Sequence, residues 1–139
     1  MPGSPDASTG AAVWQAQSGT WTPTFTVDGD VCTGASVIDS GIFSRNGNVV
    51  TFSLPVEITI AAYNILTGES GNVYFDLPIP TTFSGQYSLC GSGNMGGPTP
   101  QEAVIYQVKV GTVNDGAIEI QISTSFVGGT YYATITGQY

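Results

Sequence analysis

Among 139 residues there is no histidine. Ser-His-Asp and Cys-His chemistry therefore lacks its general base, and zinc its commonest nitrogen ligand. A Ser-Lys dyad would have to recruit Lys109, which alternates onto a strand face with Gln107, where a lone lysine is a solvated charge. Ten carboxylates remain, among them Asp28, Asp30, Asp39, Glu57, Asp76, Asp115 and Glu119. Glycoside hydrolysis needs two of them facing one bond, and most sit in turns or on the wet side of a strand, unpaired by spacing. No glycine-rich loop precedes a helix, so no phosphate cradle is expected. Asp28-Gly29-Asp30 has the donors for a calcium ion, but an acidic β-turn needs the same residues for backbone reasons. The turn is the favoured reading, and Asn114-Asp115-Gly116 is the weaker of the two candidates. The chain is expected to be no enzyme and to hold no cofactor or metal.

What remains for function is contact. Seven tyrosines and two tryptophans are available, and exposed aromatic rings either stack on sugars or anchor interfaces. Trp14, Trp21 and Tyr139 are read as subunit contacts. Tyr132 lies opposite the core face of its strand and is the better surface candidate, with Asn94 and Met95 beside it in an outward-facing loop. Only Arg45 and Lys109 are basic, and the net charge is −8. Two cations cannot track a phosphate backbone or hold an anionic membrane, so nucleic-acid and membrane partners are disfavoured. No apolar run approaches the ~20 residues that span a bilayer. The first six residues carry no basic region or apolar core, so no secretory signal is expected there. Cys32 and Cys90 allow one bridge or two thiols, and thiols are the default in a cytoplasm.

These residues must be carried by strands. The composition favours Thr, Ser, Val, Ile and Tyr over helix formers, and the apolar period is two throughout. Thr20 to Val27 alternates, with Pro23 marking an edge. Residues 37 to 45 lead into an Asn46-Gly47 hairpin turn. Residues 48 to 62 form the longest strand, placing Phe52, Leu54, Val56, Ile58 and Ile60 on one face. Pro55 within it implies an edge or a bulge. Thr67 to Asn72 reads as a polar loop, and Val73, Phe75 and Leu77 as a strand ended by Pro78 and Pro80. Gly91 to Pro100 reads as a long irregular loop. Val104, Tyr106, Val108 and Val110 form one strand face. Turns at Asn114-Asp115-Gly116 and Gly128-Gly129 complete a meander over 103 to 139. About seven or eight strands without helix or repeat mean an all-β fold, an antiparallel β-sandwich of jelly-roll type. Residues 1–18 are too poor in apolar surface to fold alone and read as an arm or tether, leaving 19–139 as the β-sandwich domain.

Three motifs occur in order: Gly19-Thr20-Trp21-Thr22-Pro23, the hairpin around Arg45-Asn46-Gly47-Asn48-Val49-Val50 with Phe43 before it, and Leu77-Pro78-Ile79-Pro80. Together they resemble the small β-sandwich virion proteins of tailed bacteriophages, of tail-fibre tip, head-appendage or capsid-decoration type. The resemblance implies a homotrimer on the virion surface, assembled in the host cytoplasm and touching major capsid or appendage proteins. It carries over no catalytic or receptor-binding residue. The chain has no shaft or repeat, which favours a short decoration or cement protein held by its N-terminal arm. The rival expectation is a fibre or spike tip that binds a receptor or a host surface glycan.

Overall fold

The computed structural model describes residues 17–28, 31–61, 69–97, 103–112, 114–122 and 128–139. They form ten strands and no helix: β1 (Gln17–Trp21), β2 (Phe25–Val27), β3 (Cys32–Val37), β4 (Gly41–Asn46), β5 (Val49–Ile60), β6 (Glu69–Asp76), β7 (Cys90–Gly96), β8 (Ala103–Val110), β9 (Asp115–Ile122) and β10 (Gly129–Gln138). All pairings are antiparallel, in the order β1-β4-β5-β10-β7-β8-β9-β6-β2, with β3 also on β5. The sheet curls until β2 lies beside β3, so one inner face meets itself and buries a single core. The fold is all-β and sandwich-like, with more strands than expected.

The alternation in β5 sets the inside. Phe52, Leu54, Val56, Ile58 and Ile60 are all buried, as are Tyr131, Ala133 and Ile135 of β10, Val73 and Phe75 of β6, and Ile118, Ile120 and Ile122 of β9. Both edges of β5 are used. β10 runs along one edge from Thr51 to Ile60; β4 takes the other as far as Ser53, and β3 takes it over from Val56. Pro55 sits at that handover, where its carbonyl accepts from Ile38 N–H at 3.2 Å. The N–H and C=O of a strand residue point to the same side, so the missing proline donor falls where the chain crosses from β3 to β4. Pro55 therefore marks neither a sheet edge nor a bulge.

Phe52 is the hub of an aromatic cluster. Trp21 and Phe75 meet it edge-on at 5.8 Å, and Tyr139 lies 6.3 Å away. Phe83 closes on Tyr139 at 5.7 Å. Trp21 Nε1 donates to the Asp76 carbonyl at 3.0 Å. The Tyr139 hydroxyl donates to Ile79 O at 2.9 Å and accepts from Ile79 N at 3.1 Å. These bonds tie β1 to the end of β6, and Tyr139, just past β10, to the Leu77–Pro80 turn.

Several expectations change. Thr20–Val27 is two strands, broken around the buried Pro23. The expected strand over 37–45 is two, β3 and β4, separated by the crossing at 38–40. The hairpin turn is centred one residue later than expected: Asn46 pairs with Val49, and Gly47 at φ +61° takes the first central position, where a type II′ turn demands glycine. β6 already begins at Glu69, inside the expected loop. The largest change is β7. Residues 91–96 of the glycine-rich segment form a strand between β10 and β8, and 98–100 lie outside the described residues.

Its glycines are there for space. A Cβ on Gly91 would sit 2.2 Å from Thr136 O and 2.9 Å from Gly137 Cα; one on Gly93 would sit 2.9 Å from Ile105 Cδ1, Ile135 Cγ2 and Thr134 O. Glycine inside a strand marks such close approaches.

The cysteines are free thiols. Cys32 pairs with Ile60, whereas Cys90 pairs with Gln138, itself opposite Thr51. That is about 30 Å along the sheet at the usual strand rise, far beyond bridging reach. Burial, then the nearby Asp28 charge, pushes the Cys32 thiol up to about 12. Cys90 is exposed and donates to Tyr87 O at 3.4 Å.

Gly91→Ala is expected to cost about 1–3 kcal/mol or more, the range of overpacked sites, because the atom it meets is backbone. Gly96→Ala, with nothing within 4 Å of the new methyl, is expected to stay within about 0.5 kcal/mol of the parent. Urea unfolding of both variants measures the difference; equal midpoints would show that β7 is not held by close approach.

Candidate functional site

Strand alternation sends neighbouring residues to opposite faces, and this divides the expected surface residues. Tyr132 is exposed on the outer face of β10, opposite Glu57 on one side and Gly96 on the other. Asn94 shares that face, opposite Thr134. Met95 does not: it turns inward and packs half-buried on the core. Gly96, Gly97, Thr130 and Tyr132 line an open hollow of about 590 Å3. Trp21 and Tyr139 find partners inside the chain as described above, and Trp14 lies outside the described residues. Asp28 acts as a turn tie, accepting from Asn72 N at 2.7 Å and Cys32 N at 3.4 Å; Asp30 lies outside the described residues. Among the described residues no three His, Cys, Asp or Glu side chains gather around one point.

A more developed site lies on the outer face of β6, β9 and β8. The registers Asn72↔Glu119↔Gln107 and Tyr74↔Ala117↔Lys109 set six side chains in two rows of three. Ala117, the smallest, is the floor between a tyrosine and a lysine. The segment over residues 83–86 walls the hollow, which measures about 480 Å3. Gly111 makes room for the Tyr74 ring: a Cβ there would sit 2.7 Å from Tyr74 Cδ1.

In this array Gln107 Nε2 donates to Glu119 Oε2 at 2.7 Å, and Lys109 Nζ reaches the same oxygen at 2.6 Å. The Gln107 bond first, and the Lys109 bond next, hold the Glu119 carboxyl below its ordinary value of 4.5; partial burial opposes them, and the lysine charge adds to them. Glu119 thus stays ionised, and the pair is neutral overall. Asn72 Oδ1 is buried with no hydrogen-bond partner, a state that costs about 1–3 kcal/mol.

A second hollow of about 350 Å3 adjoins the first and shares Gln86 and Lys109 with it. Tyr87 and Tyr106 line it, and both are among the most exposed rings of the chain. Tyr106 corrects the expected Val104-Tyr106-Val108-Val110 face. The register shifts between Ile105 and Gln107, so Ile105 packs on the core along with the buried Val108, and Tyr106 is turned out at 59% exposure. A bulge re-aims a side chain in just this manner. Period-two reading foresees Gln107, Lys109 and Glu119 on wet faces; their meeting across β8 and β9 depends on this register.

The arrangement offers rings, amides and one neutralised ion pair. It has the parts to bind a polar ligand.

No family model matches the chain, and no solved structure matches it. One curated protein aligns along most of the domain: collagen-like protein V6 of Sputnik virophage, 33% identical over 126 residues. This chain is similar to a viral protein. The alignment covers 88% of the chain and 37% of V6, so the chain spans just over a third of that relative's length. The tailed-phage likeness stays a resemblance of motifs.

Lys109→Met is expected to move the Glu119 carboxyl back toward 4.5, as read by NMR titration of its carboxyl carbon. Because the folded-state value is depressed, the stabilisation of wild type over Glu119→Gln is present above pH 4.5. It is lost as pH falls through the lower folded value. An unchanged titration in Lys109→Met would show that the ion pair does not act on Glu119.

Proposed function

We propose that the chain is a non-enzymatic viral structural protein of the particle surface, working as a homotrimer. The observation that carries this is the similarity to V6 across 88% of the chain. V6 is described as collagen-like, and a collagen triple helix winds three chains. A domain shared with such a protein is suited to assembly in threes. This chain has only 19 glycines and no triplet repeat of its own, so it would correspond to a globular part. The phage-like motifs support a virus particle independently of V6. The finer role is a decoration or cement protein, or an appendage cap, tethered to capsid or appendage proteins through the residues that precede β1, since Gln17 and Ser18 of the expected 1–18 arm pair with β4.

Physical features favour assembly. β1 ends the hydrogen-bonded order with its residues Gln17–Thr20 exposed, and exposed edges invite pairing unless covered. Thr51, Ser53, Thr134 and Thr136 give the outer face of β5 and β10 a low-charge, hydroxyl-rich surface. Closed symmetry would bury such features. The second reading, a receptor- or glycan-binding module, draws on the tyrosine and amide array of β6, β8 and β9.

Light scattering on the purified full-length chain is expected to give the mass of three chains, against 14.4 kDa for one. Removing residues 1–16, which spares β1, is expected to leave that mass ratio intact. A full-length monomer would overturn the trimer; a trimer that becomes monomeric on truncation would move the contacts from the sandwich to the arm.

A further inference from the structure

We infer that the groove on the outer face of β6, β8 and β9 binds a neutral saccharide. The inference rests on the binding-module reading of this surface and is independent of oligomeric state.

The size fits. The main hollow of about 480 Å3 falls within the about 300–1,000 Å3 typical of small-ligand sites. The adjoining hollow with Tyr87 and Tyr106 extends it into a trough that would follow a chain of sugar rings.

The chemistry selects sugars over other small ligands. A sugar ring has an apolar C–H face and a rim of hydroxyls that both donate and accept. Tyr74 supplies a flat apolar ring in the main hollow, with Tyr106 and Tyr87 further along. Asn72, Gln86 and Gln107 carry amides, which also donate and accept. Both bonds to Glu119 end on Oε2, so Glu119 holds Gln107 and Lys109, which line the trough, in place. An apolar ligand would strand these groups without partners.

Charge selects neutral sugars over acidic ones. Lys109 is the one cation of the trough, and Glu119 cancels it at 2.6 Å. The molecule around it carries −8. A sialylated or sulfated ligand would meet repulsion with no free cation to pay for its desolvation.

The test is a glycan array carrying neutral oligosaccharides beside sialylated and sulfated ones, probed with the full chain. Binding to neutral glycans is expected. Tyr74→Ala is expected to weaken it about tenfold or more, as loss of a central ring contact does. Gln86→Ala, in an exposed position that cannot disturb the core, is expected to weaken it as well, so a folding defect in Tyr74→Ala would not rescue the idea. Neutral-glycan binding that survives both changes but falls with Tyr132→Ala would keep the binding module and overturn this site. Binding only to acidic glycans would overturn the neutral assignment. No binding to any glycan would overturn the site and the module reading together.

Discussion

The structure depends on how closely β7 can approach β10. Gly91 and Gly93 let the two backbones meet where any side chain would strike a carbonyl oxygen. β7 holds β10 over seven residue pairs but β8 over only two, Cys90↔Lys109 and Gly91↔Val108. It is therefore the seam between two groups of strands, β1-β4-β5-β10 with β3 on one side and β8-β9-β6-β2 on the other. A seam with few hydrogen bonds can bend, and the curl that brings β2 beside β3 needs such a bend. Asp28 fastens the far end, tying the close of β2 to β6 and to the start of β3. Between seam and tie lies the β6-β9-β8 surface with its groove.

Period two carried most of the fold. The β5 column from Phe52 to Ile60 and the meander through Ile118–Ile122 and Tyr131–Ile135 are inward as alternation requires. The failures share one cause. Glycine and proline are punctuation when read locally, but here several mark packing between distant segments. Gly91 and Gly93 read as loop residues because the Thr134–Thr136 backbone that needs them lies more than forty positions away. Pro55 reads as an edge because the handover from β4 to β3 is invisible along the chain. The bulge at Ile105–Gln107, which turns out Tyr106, has no local signal at all.

The site was legible in pieces. The polar faces holding Gln107, Lys109 and Glu119 follow from alternation, and Tyr132 and Asn94 do share an outer face. Met95 fails because a strand, unlike a loop, cannot show two neighbours to one side. The aromatic residues expected at subunit contacts, Trp21 and Tyr139, pack in the Phe52 cluster of their own chain. Their indole N–H and phenol O–H bind backbone carbonyls at Asp76 and Ile79, as half-buried Trp and Tyr packed against a core usually do. The groove itself needed the cross-strand register, which no single strand encodes.

A sheet of this kind, poor in charge and rich in hydroxyls on one outer face, with tyrosines and amides on another, suits a protein that makes contacts. The similarity to V6 is to a viral protein, and the particle surface is the place proposed for this chain. The most direct test is immunogold labelling of intact particles from the source of the chain, using an antibody raised against the folded domain. Gold on the particle surface is the predicted result. Particles that stay unlabelled, with the chain recovered only from the soluble fraction, would contradict the account.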